Sequence, residues 1–176
     1  MSQLPSSTAS SMKQLISMRL GAAGFAQHWK HCDLVANYLA AFTSEILHKS
    51  DVHANLVSTV LNELLEVVFR RNAGQGEIGI VLKGDGIKVV VEISVPVAEE
   101  DRRFYEDMTK LVQRHDRDEL HRQQLADPDE TGEQNLSLSL LELAAVYDAV
   151  LEVQSVDDAG PLLLMLPFQI DLEHES

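Results

Sequence analysis

From Asp51 onward apolar residues recur at Leu56, Val57, Val60, Leu61, Leu64, Leu65 and Val68, the spacing of one face of a 3.6-residue helical period. Asp51 stands where an N-cap belongs, and Asn72-Ala73-Gly74 closes the helix after Arg71. At about 100° per residue, Val57, Leu61, Leu64 and Val68 fall in a narrow stripe. Glu63 and Val67 lie one turn apart on its border, where a side chain can face a cleft. An earlier helix is predicted from a cap at Asp33 to about His48. Gln14 to Arg19 reads as a short strand with apolar Leu15, Ile16 and Met18. Glu77 to Lys83 and Ile87 to Val95 are rich in Ile and Val and flank Gly84-Asp85-Gly86, a hairpin signal that makes the two strands antiparallel.

Pro96 ends the second hairpin strand, and Ala98 to His115 reads as an acidic-start helix with Phe104, Met108, Leu111 and Val112 on one face. Asp116 begins a short helix through Leu125, and the polar, aperiodic stretch from Ala126 to Gln134 is a loop. Ser137 or Ser139 is placed as the cap of a helix reaching about Asp148. Val150 to Val156 and Leu162 to Leu172 complete the chain as strands joined by Asp157-Asp158-Ala159-Gly160-Pro161. The unbroken apolarity of Leu162 to Phe168 predicts a central strand buried on both faces, with dimer pairing as the other use of such a strand. This order predicts an α+β two-layer sandwich: a mixed, mostly antiparallel sheet covered on one face by helices.

Length and composition fit one domain. With 176 residues, 45% of them hydrophobic, the chain can bury one sizeable core, placed at residues 13–174. Met1 to Met12 lack the basic start and apolar run of a signal peptide and read as a disordered Ser-rich lead. The one cysteine, Cys32, excludes an internal disulfide and fits a reducing cytoplasm. No stretch approaches the ~20 consecutive apolar residues of a membrane span. All 14 Lys and Arg fall within residues 1–122, whereas residues 123–176 hold 12 acids and neither Lys nor Arg. Nucleic-acid binders neutralise phosphates with clustered basic groups, so DNA and RNA are poor partners for this chain. The acidic third favours solubility first and a basic contact surface second.

The string Asn62-Glu63-Leu64-Leu65-Glu66-Val67-Val68-Phe69-Arg70-Arg71-Asn72, in its position within the element order, resembles the key helix of the GHKL superfamily, the ATP-binding fold of histidine kinases, gyrase and anti-sigma-factor kinases. The order of an N-terminal strand, a segment like His28-Trp29-Lys30-His31-Cys32, a first helix like Leu34 to Leu47 and this second helix is similar to small stand-alone bacterial regulators of that superfamily, and more distantly to SiaB-type kinases. The resemblance implies a nucleotide cleft to which Asn62, Glu63, Val67, Arg70, Arg71, Asp85, Ser137 and Ser139 would contribute. Glu63 would then be the catalytic carboxylate. Where the superfamily has a Mg²⁺-ligating Asn, this chain has Val67, and an isopropyl group offers the ion no oxygen. A lid-like stretch carries Asp127, Asp129, Glu130 and Glu133, acids that would oppose a triphosphate. Leu136, Leu138 and Leu140 stand where the family has phosphate-approaching glycines. Asp85 matches the adenine-binding Asp-x-Gly only if spacing is ignored, and Asp85-Gly86 is better explained by the hairpin.

Other chemistry has thinner support. His28, His31 and Cys32 cluster around Trp29 but lack a second pair of zinc ligands. Arg70 and Arg71 at a helix end offset the C-terminal dipole, or meet a phosphate or an acidic partner. Two functions follow. The first is a signalling regulator with a degenerate nucleotide site, acting by protein binding without cofactor, or with ATP but no well-formed Mg²⁺ site. The second is an active ATP-dependent serine/threonine kinase using Glu63 as base, with metal held by Asn62, Glu66 or Asn72. The resemblance implies a STAS-type partner with a PP2C-type phosphatase in the same circuit, a cytoplasmic location and a homodimer.

Overall fold

The structure, a computed structural model, describes residues 12–24, 30–72, 76–114, 116–126, 132–155 and 160–170. The Ser-rich lead through residue 11 and the acidic loop residues Asp127, Asp129 and Glu130 lie outside them. The described elements are β1 (Lys13–Gly21), α1 (Lys30–Leu47), α2 (Asp51–Arg71), β2 (Glu77–Gly84), β3 (Lys88–Val95), α3 (Glu99–Val112), α4 (Arg117–Ala126), α5 (Gly132–Tyr147), β4 (Glu152–Ser155) and β5 (Leu162–Gln169), with a single 3₁₀ turn at Ala22–Gly24. The strands form one sheet in the order β1-β2-β3-β5-β4, and all four pairings are antiparallel. The chain is an α+β two-layer sandwich, with no parallel pairing among the described strands.

Local chemistry explains the hairpin at the centre of the sheet. Asp85 Oδ1 accepts hydrogen bonds from the backbone N–H groups of Ile87 at 3.0 Å and Lys88 at 2.9 Å. Gly86 supplies the left-handed φ of +94° that the turn requires. The turn abuts the end of α1: a Cβ on Gly84 would stand 3.0 Å from Leu15 Cδ1 and 3.4 Å from Leu47 Cδ1.

Alternation then divides the sheet into two faces. Ile78, Ile80 and Leu82 of β2 and Val89, Val91 and Ile93 of β3 point into the core. Val81, Lys83, Glu92 and Ser94 on the opposite face are only partly buried, and Lys83 Nζ pairs with Glu92 Oε1 at 2.6 Å. Strand β5 is central, as its apolarity predicts, between β3 and β4. It is not buried on both faces: Leu162, Leu164, Leu166 and Phe168 are buried, but Leu163, Met165 and Pro167 keep partial exposure. The described helices cover one face of the sheet, and on the other Met165 and Pro167 border an open pocket with Met12, Val90 and Glu152.

Helix α2 lies in the middle of the helical layer, against α1 on one side and α5 on the other. Eight of its residues are buried, among them Val57, Leu61, Leu64, Val67 and Phe69. It is the one described helix long and apolar enough to cross a membrane, and that apolar surface is taken up by the core.

Three helix starts differ from those the sequence predicts. Helix α1 begins at Lys30, so Asp33 is in its first turn and accepts from Asn37 Nδ2 at 3.0 Å rather than capping. Its core spacing extends upstream of Asp33, through Cys32, Ala36 and Leu39. The N-cap of α2 is Ser50, in extended conformation and without a side-chain capping bond. Its Oγ lies 2.7 Å from His53 Nδ1, and Asp51 is the first helical residue, where its charge suits the dipole. Helix α5 begins at Gly132, which places Ser137 and Ser139 inside the helix rather than at its cap. Thr131-x-x-Gln134 has the form of a capping box and is the sequence signal for the earlier start.

Candidate functional site

The polar edge of α2 is narrow because the helix packs on three sides. Placed at about 100° per residue, its buried residues sweep an arc of roughly 200°. Asn62, Glu63, Glu66 and Arg70 share what is left. Val67 falls inside the buried arc and is 0% exposed. It is part of the hydrophobic core rather than a border position.

Glu63 sits half-buried one turn away and faces α5. Ser139, on the neighbouring helix, donates its hydroxyl to the Glu63 carboxylate. Burial pushes the Glu63 carboxyl above its ordinary value. The Ser139 bond opposes that shift, the nearby Glu66 and Glu142 carboxylates reinforce it, and Arg70 opposes it. Tyr147, at the end of α5, is raised by burial first and then by Glu142 and Glu63. Glu63, Ser139, Glu142 and Tyr147 therefore form one acid-rich group at the α2–α5 contact. Glu142 follows Ser139 by one turn on the same side of α5, a neighbour the sequence exposes once the helix is started at Gly132.

Along the solvent side of α2 runs a ladder of polar groups. Asn62 Nδ2 donates to Glu66 Oε1 at 3.2 Å, and Arg70 Nη2 donates to Glu66 Oε2 at 3.1 Å. Glu66 is thus engaged by two partners on its own helix. Asn62 Oδ1 is buried and has no hydrogen-bond partner among the described residues. Cys32 of α1 lies close enough for Glu66 and Arg70 to affect it. Burial, reinforced by Glu66, lifts its thiol to about 11 against the pull of Arg70. Such a thiol is a packing group rather than a nucleophile.

Arg71 ends α2 in a different setting. Its Nε stands 2.9 Å from Asp101 Oδ1, and its guanidinium lies 4.4 Å from the centroid of the Phe104 ring. These contacts tie α2 to α3, and no sequence spacing signals them. Arg70 and Arg71, with Glu100, Asp101 and Leu136, wall an open cleft of about 430 Å³. Two guanidinium charges there face Glu100 and Asp101, while Glu66 holds Arg70 from behind, so the cleft carries little net positive charge for a phosphate.

Of the predicted site residues, the structure brings Glu63 to Ser139 and places Arg70 and Arg71 at a common cleft. Ser137 is half-buried in α5. Asp85 stays apart: it closes the hairpin beside the end of α1, while Glu63 is about 18 Å of helix rise from the start of α2. His31 Nδ1 contacts Gly24 O at 3.1 Å and Cys32 is buried; His28 and Trp29 lie outside the described residues. No group of three or more His, Cys, Asp or Glu that could hold a metal occurs among the described residues. A comparison with protein-family models and with curated proteins finds no match to this chain.

Proposed function

We propose that this protein is a signalling regulator of GHKL-like descent whose nucleotide site is degenerate, and that it works in the cytoplasm by binding another protein. The observation that carries the reading is Val67. The position that would hold Mg²⁺ is an isopropyl group packed at 0% exposure in the core, and hydrocarbon supplies no ligand to a hard cation. Glu66, the nearest alternative carboxylate on α2, is bonded to Asn62 and Arg70. The acids around Glu63 add negative charge where a triphosphate would bring its own. The implied partner remains a STAS-type protein, opposed by a PP2C-type phosphatase.

One feature favours the alternative, an active serine/threonine kinase with Glu63 as base. A half-buried carboxylate held above its ordinary range by burial and neighbouring acids has the character of a general base.

Isothermal calorimetry of the full chain with ATP, with and without Mg²⁺, separates the two. No Mg²⁺-dependent heat is expected at ATP concentrations up to about 1 mM, a dissociation constant weaker than about −4 kcal/mol of binding. Tight Mg²⁺-dependent binding would sink the degenerate-site reading. Val67→Asn is a poor gain-of-function control, since it buries an amide in the core at a cost of about 2–4 kcal/mol.

A further inference from the structure

The face of the sheet turned away from the helices has a relief of its own. Register sets Arg19, Gly79, Ser94 and Leu163 side by side across four strands, and the next outward row is Ser17, Val81, Glu92 and Met165. Gly79 has no side chain, and a Cβ built there would stand 3.6 Å from Ser94 Cβ. The surface dips at this point into a hollow of about 640 Å³ walled by Val81, Pro96, Val97, Pro161 and Leu163. Charges on and beside this face are matched in pairs, Lys83 with Glu92 at 2.6 Å and Arg19 with Glu77 at 3.4 Å.

Met12 fixes the direction from which the chain reaches this sheet. Strand β1 is at one edge, with β2 between it and β3, and β5 and β4 lie farther still. Yet Met12, the residue before β1, borders a second hollow of about 430 Å³ together with Val90 of β3, Met165 and Pro167 of β5 and Glu152 of β4. The chain therefore enters β1 from over the outer face and not from beyond the sheet's edge. We propose that residues 3–9 lie across this face, with Leu4 and Pro5 in the hollow above Gly79 and Ser94.

Length permits this path. Pro167, beside Met12, and Leu163, in the wall of the larger hollow, are four residues apart on β5, about 13 Å. Leu4 stands eight residues before Met12, a reach of up to about 26 Å, so there is chain to spare for crossing from β5 toward β2. Charge and shape select the same occupant. Residues 1–11 hold no charged side chain, which suits a face whose own charges are already paired. Leu4-Pro5 is their one pair of adjacent apolar residues, and Pro5 brings no N–H to strand over hydrocarbon. Tethering supplies the rest: a short linker holds the segment at millimolar effective concentration, so a contact too weak for separate molecules is populated within one chain. Such a contact needs no nucleotide chemistry and holds for either function above.

Paramagnetic relaxation in the full chain tests it, with a nitroxide attached at Ser6→Cys; native Cys32 is buried and does not compete for the label. Methyl signals of Val81, Leu163 and Met165 are expected to lose intensity at least several-fold more than those of Val52 and Val146, which are exposed on the helices. Adding Leu4→Ser and Pro5→Ser should abolish that difference with an unchanged circular dichroism spectrum. A mixture of nitroxide-bearing chains and isotope-labelled chains without nitroxide should show no such loss. Equal loss on both faces, no loss on either, or a loss that survives both Ser substitutions would each overturn the proposal. So would a loss that appears in the mixture, which would assign the face to a second copy.

Discussion

Glu63 makes the stability of this chain depend on pH. Its carboxyl is raised by burial and by Glu66 and Glu142, so the folded state holds its proton at pH values where the unfolded chain has released it. Between the unfolded value near 4.5 and the higher folded value the unfolded state binds fewer protons, and stability falls as pH rises through that window. Glu63→Gln keeps an acceptor for Ser139 and removes the charge. Its melting temperature at pH 7 is expected to exceed that of the wild type, with the difference shrinking toward pH 4; an equal or lower value at pH 7 would show the carboxylate to be well solvated. The neighbouring position was less legible. Periodicity located Glu63 at the edge of the apolar stripe correctly, but it could not tell that Val67, about 40° nearer the core, was inside it. The width of a buried arc depends on how many neighbours surround the helix.

Elements meet here through a few side chains that no local pattern announces. Helices α2 and α3 are joined by Arg71, paired with Asp101 and lying over Phe104, both contacts largely shielded from solvent. Arg71→Ala should cost about 1–2 kcal/mol, combining loss of a half-buried ion pair with loss of the ring contact. Hydrogen exchange in α3 should rise more than in β2 or β3, and uniform change across the chain would mean that the latch is not local. Element existence, by contrast, was written in the sequence. The hairpin was specified by Gly84-Asp85-Gly86 between two Ile/Val runs, and Asp85 closes that turn through two backbone hydrogen bonds. Starts were less reliable, since the core spacing of α1 extends upstream of Asp33, and Ser137 and Ser139, good caps by type, fell within a helix that begins at Gly132.

For the whole molecule the dominant long-range term is its net charge of −14, concentrated in a carboxy-terminal third without Lys or Arg. Such an excess destabilises the compact state by self-repulsion, and salt screens it over about 10 Å at 0.1 M. Raising NaCl from about 20 to about 200 mM should raise the melting temperature by about 2 °C or more; a fall would mean that ion pairs such as Arg71–Asp101 outweigh the repulsion. The sequence alone determined the α+β class, the order of elements and the hairpin at the sheet's centre, because periodicity, turn residues and propensity act between residues close along the chain. Tertiary structure decided the rest: that Val67 is core, that Ser139 meets Glu63, that β5 is buried on one face and only partly on the other, and that Leu34, Tyr38, Phe42 and Ile46 of α1 stay exposed. Each of those depends on which surface of an element finds another element against it, and that is settled by packing between segments far apart in sequence.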